Sequence, residues 1–73
     1  MDIGGTLRTM REERGLTQAE VGRRTGIARQ YVLRIEHNNV RPGLRVLADI
    51  CWHGLGCTFA DFIASAVRPA VAA

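Results

Sequence analysis

The chain of 73 residues contains no lysine: all ten of its basic residues are arginine, set against seven carboxylates for a formal charge of +3. A coding bias accounts for the missing lysines, because the chain is also rich in Ala, Gly and Val. Information therefore lies in where the arginines sit. Aromatics are few, limited to Tyr31, Trp52, Phe59 and Phe62, so aliphatic side chains must supply most of the core. No apolar run approaches the ~18 residues of a membrane-spanning helix. The opening MDIGG has no basic region followed by an apolar stretch, so a signal peptide is not expected. With two cysteines and no secretion signal, the chain is expected in a reducing cytoplasm with free thiols rather than a disulfide framework. Repeats and low-complexity linkers are absent. So are G-x-S-x-G, H-E-x-x-H and a phosphate-binding loop, and neither histidine is spaced from a carboxylate as an acid–base pair would require. An enzyme is not expected, and no cofactor is implied.

What is present reads as one domain over 1–67 with a flexible tail over 68–73. At 47% hydrophobic and 23% charged residues the chain is globular. It lies near the lower size limit for folding alone, which favours a homodimer. Five helices and no strands are predicted. The first covers about Asp2 to Arg14, with Asp2 as N-cap, Ile3, Leu7 and Met10 at the helical period, and Gly15 as a left-handed stop. Gly4 and Gly5 are expected only to weaken its first turn, by about 1 kcal/mol each relative to alanine. The second helix covers about Gln18 to Thr25. Thr17 and Glu20 form its T-x-x-E capping box, Gly22 marks a close approach, and Gly26 ends it. A third helix over about Ala28 to His37 buries Val32 and Ile35 and turns Arg29, Gln30, Leu33 and Arg34 away. Asn38 and Asn39 close it. The fourth, about Gly43 to His53, is expected to carry Leu44, Leu47, Ile50 and Cys51 inward and to break at Gly54 and Gly56. The fifth, about Thr58 to Val67, starts at a Thr58–Asp61 cap and presents Phe59, Phe62, Ile63 and Val67.

This pattern resembles the lambda-repressor-like helix-turn-helix family, the domains of Cro and phage repressor type. The resemblance rests on Ile3-Gly4 with Leu7 to Arg14, Gly15-Leu16-Thr17-Gln18 with Glu20, Gly26-Ile27, Tyr31-Val32 with Arg34-Ile35-Glu36, and Arg41-Pro42 before Leu44. It spans about Ile3 to Ile63. It implies an all-α, compact five-helix domain whose third helix enters the major groove of double-stranded DNA. Dimers of such domains set two of these helices about 34 Å apart on a two-fold operator. Carried over by position, Ala28, Arg29, Gln30 and Arg34 face bases, and Gln18, Tyr31, Arg23, Asn38 and Arg41 contact the backbone. Arg29 and Arg34 suit guanine, Gln30 adenine and Ala28 a thymine methyl. Arg11 and Glu36 match a structural ion pair that ties the third helix to the first. The implied function is a transcriptional regulator, and specifically a repressor, of bacterial or phage type. The alternative is a protein-interaction module, such as an antitoxin that masks a partner protein and binds DNA secondarily, because the same fold serves both.

Some positions depart from the family pattern. Ala28 replaces a capping serine or threonine, Thr25 an apolar residue, and Leu33 a polar one. The stretch Cys51 to Cys57 is one residue longer than usual. That extra residue leaves two readings of Trp52: exposed as a dimer contact with Phe59 and Phe62, or rotated into the core. Cys51, His53 and Cys57 lack the four ligands and C-x(2–4)-C spacing of structural zinc, so no metal is expected. Cys51 is read as a core thiol and Cys57 as a half-buried one.

Overall fold

In a computed structural model of the protein, residues 1–67 are described. They form α1 (Ile3–Glu13), α2 (Gln18–Thr25), α3 (Arg29–Glu36), α4 (Leu44–Asp49), a π-helical turn (Ile50–Leu55) and α5 (Phe59–Ala66). The tail expected over 68–73 lies outside the described residues. Among the latter no single helix is long and apolar enough to cross a membrane.

Local chemistry sets most helix ends. Asp2 accepts from the Gly5 amide at 2.8 Å and so caps α1. Thr17 and Glu20 bond reciprocally, at 3.0 and 2.9 Å, in a complete capping box that satisfies two amides left orphaned by helix geometry. Gly26, at φ 76°, closes α2 in the left-handed region, where a Cβ would be strained. Asn38 adopts φ 58° after α3, a conformation asparagine tolerates. Thr58 caps α5 by accepting from the Asp61 amide.

The core gathers Leu7 and Met10 from α1, Val21 from α2, Val32 and Ile35 from α3, and Phe62 from α5. The segment after α4 completes it and corrects the sequence reading. The helix does not break at Gly54; it winds on to Leu55 as a π turn and stops at Gly56, at φ 71°. One inserted residue is commonly absorbed in this way. Along this turn Ile50, Cys51, Gly54 and Leu55 are all buried. Two long-range bonds hold the turn. Arg14 Nε donates to the Leu55 carbonyl at 2.8 Å, and Arg24 Nη1 to the Gly54 carbonyl at 3.2 Å.

Other side chains fall elsewhere than expected. Leu44 is 72% exposed rather than inward; it is the first residue of α4, and the inward stripe begins at Leu47. Phe62 is fully buried, the largest such side chain in the domain, which removes it from any dimer surface. Trp52, 65% exposed, follows the outward of its two readings. Cys57 is buried together with Cys51. Burial pushes the Cys51 thiol up to about 12, with Cys57 beside it adding to the effect, so Cys51 is not an activated nucleophile.

Candidate nucleic-acid interface

The junction between α2 and α3 is built for a close, fixed crossing. A Cβ on Gly22 would lie 2.5 Å from the Ile27 carbonyl oxygen, so only glycine lets the chain turn so tightly over α2. The Ile27 amide donates back to the Gly22 carbonyl at 3.0 Å. Thr25, which stands where the family pattern has an apolar residue, donates its hydroxyl to the Val21 carbonyl at 2.8 Å and accepts from the Ile27 amide. Ala28 then opens α3 with extended backbone and no side-chain cap, leaving the first amides of α3 without one.

The far end of α3 is held from below. Arg11 grips Glu36 with both edges of its fork, Nε to Oε2 at 2.6 Å and Nη2 to Oε1 at 3.0 Å. Its remaining nitrogen donates to the Leu16 carbonyl. The Glu36 side chain is 1% exposed, and bonding to it raises the Arg11 guanidinium above its ordinary range. Gln18 joins the cluster, its Nε2 donating to Glu36 Oε1 at 3.0 Å. That third donor redirects the sequence reading: the Gln18 amide nitrogen is committed to the fold, and at the start of α2 its backbone N–H is the group left for an anion. Asn38 is redirected more completely. Its oxygen accepts from the Gly4 amide and its nitrogen donates to Asp2, both at 3.1 Å, tying α3 to α1.

The outward face of α3 is chemically different. Arg29, Gln30, Leu33 and Arg34 are all exposed, and none of the three polar side chains among them has a hydrogen-bond or ion-pair partner among the described residues. Arg23, Arg41 and Arg45 are equally exposed and unpaired there. Arg45 carries no signal in the sequence analysis, although it lies in the first turn of α4, just after Arg41-Pro42. Tyr31 is half-buried and packs against the core. Between Thr17 and Arg45 the sequence has six arginines and only two carboxylates, Glu20 and Glu36, and Glu36 is buried and paired with Arg11. Two short helices crossing at a glycine turn, the second bearing an acid-poor, arginine-rich face, match one known architecture. The helix-turn-helix domain family matches residues 2–58, most of the chain.

The chain belongs to the lambda-repressor type of helix-turn-helix proteins.

Solved structures agree with this membership. The helix-turn-helix chain is similar to the clp gene regulator ClgR from Corynebacterium glutamicum, at 28% identity and a TM-score of 0.83 over 89% of this chain and 68% of that one. A second ClgR structure matches at 25% identity and 0.86, over 99% and 92%. The restriction-modification controller protein C.Esp1396I shares the fold at 22% identity and 0.84, over 92% and 85%. A comparison with curated protein sequences gives no match. This helix-turn-helix protein is a DNA-binding transcriptional regulator, with α2 and α3 as its motif. Among the described residues no group of three or more His, Cys, Asp or Glu side chains is placed to hold a metal ion.

Proposed function

We propose that the protein is a homodimeric repressor that inserts α3 into the major groove at a two-fold operator. The observation that carries this reading is the unpaired polar face of α3, where Arg29, Gln30 and Arg34 have no internal partner to give up. Arg29 and Arg34 are assigned to guanine O6 and N7, Gln30 to adenine N6 and N7, and Ala28 to a thymine methyl. Arg23, Arg41 and Tyr31 are assigned to phosphates, and Gln18 to a phosphate through its backbone amide, where the dipole of α2 favours an anion. Asn38 supports the interface by fixing α3 against α1. Repression is favoured over activation because an occupied operator blocks transcription by itself, whereas activation requires a further surface for polymerase.

The base assignments are tested by selection from a random DNA pool. Arg29→Ala is expected to relax preference at one position per half-site, a loss of about 1–3 kcal/mol of discrimination. The same consensus from wild type and variant would refute the assignment of Arg29. Trp52 and Phe59, respectively 65% and 36% exposed, are assigned to the dimer contact, since buried aromatics anchor interfaces. Sedimentation at micromolar concentration should show Trp52→Ala shifted toward monomer, and an undiminished dimer would exclude Trp52 as an anchor.

A further inference from the structure

Among the described residues the exposed large apolar side chains are Met1, Leu33, Leu44, Trp52, Phe59 and Val67. All but Leu33 lie at the N-terminus or from α4 onward; Leu33 alone sits on the helix-turn-helix motif. A single exposed leucine is ordinary, but its position is not. Leu33 follows Arg29 and Gln30 by one helical turn and directly precedes Arg34, so an aliphatic surface stands among the polar groups assigned to bases. The core does not account for it. Val32 and Ile35 take the inward positions at 0% and 1% exposure, while Leu33 leaves 37% of its surface to solvent.

The edges of base pairs in the major groove offer hydrogen-bond donors and acceptors and one apolar group, the C5-methyl of thymine. A leucine has nothing to offer the donors and acceptors, and would leave any it covered unpaired. From this juxtaposition we infer that Leu33 is a specificity-determining residue that reads a thymine methyl, next to the bases taken by Arg29 and Gln30 in each half-site. The inference rests on the reading of α3 as the helix in the groove. Contact removes the methyl and the end of the leucine from water together. One methyl-sized group is worth about four-fold in affinity, the equivalent of about 0.8 kcal/mol at ~1.4 kcal/mol per tenfold.

The test starts from the consensus duplex that wild-type protein selects from a random pool. Each thymine is replaced singly by uracil, which lacks only the methyl, and binding is measured by competition anisotropy. Besides the thymine assigned to Ala28, one thymine per half-site is expected to weaken wild type about four-fold on replacement and to leave Leu33→Ala unaffected. Leu33→Met, which keeps an apolar end, should retain the sensitivity, and equal melting temperatures of the three proteins separate the effect from folding. The assignment is overturned if no thymine is sensitive, or if every sensitive thymine remains so in Leu33→Ala; either result leaves α3 as the reading helix. Failure to select any consensus overturns the reading of α3 first, and this assignment with it.

Discussion

Replacing Arg11 with alanine is expected to cost about 3–5 kcal/mol of folding stability, because it strands a buried carboxylate. The Glu36 side chain is 1% exposed and takes two of its hydrogen bonds from Arg11. In the variant, Gln18 Nε2 is the one side-chain donor left to it among the described residues. A neutral amide cannot replace a guanidinium as a counter-charge. Small domains have about 5–15 kcal/mol in total, so the variant should be close to unfolding at ambient temperature. Its urea midpoint should fall sharply with an unchanged m-value. The double variant Arg11→Met, Glu36→Leu should recover much of the loss, because an apolar pair of similar volume often matches a buried ion pair. A loss below about 1 kcal/mol for Arg11→Ala, the range of a surface pair, would mean that water reaches Glu36 and that the pair does not brace α3.

Gly4→Ala is expected to be damaging as well, against the ordinary preference of helices for alanine. An added Cβ would collide with the Ile35 carbonyl oxygen and lie 2.7 Å from both the Glu36 carbonyl and Asn38 Oδ1. Two of these atoms are backbone at the end of α3 and cannot swing away. The propensity gain of about 1 kcal/mol is therefore outweighed by overpacking of about 1–3 kcal/mol or more and by loss of the Gly4 to Asn38 bond. A net loss of about 2 kcal/mol in chemical denaturation is expected, with weaker DNA binding as α3 is displaced. Gly5→Ala is the contrast, since the nearest atoms to its Cβ all belong to the side chain of Asp2 and none to backbone. It should stay within about 1 kcal/mol of wild type. Equal effects of the two substitutions would show that α1 and α3 are not held in close contact at Gly4.

Local signals were legible where chain neighbours decide the outcome. Thr17 with Glu20, Gly26, and Asn38 after α3 each carry a backbone requirement that only a few residue types meet, and all take the expected conformation. The Arg11–Glu36 pair was legible only through the family resemblance, since nothing local links residues 25 positions apart. What escaped was set by long-range packing. A helical wheel assumes 3.6 residues per turn, so it could not place the π turn, and Gly54 reads as a helix breaker although it lies flush against Val21 and Thr25. Gly4 reads as a weak helix former until α3 is laid across it. Arg14 and Arg24 carry no local signal of a role, yet they donate to the carbonyls of the π turn. Gln18 and Asn38 matched positions for DNA contact by type and spacing, but partners distant in sequence occupy their amides.

The central claim is that the exposed face of α3 reads DNA sequence while arginines neutralise phosphates. A fluorescence-anisotropy titration tests it most directly, comparing the selected duplex with a scrambled one at about 50 and 200 mM salt. With about six to ten phosphates neutralised per dimer, affinity should fall by about 10³ or more between the two salt concentrations. The selected duplex should keep an advantage of at least about 10³ over the scrambled one at the higher salt. Equal binding of the two duplexes, micromolar or weaker and indifferent to salt, would contradict the account.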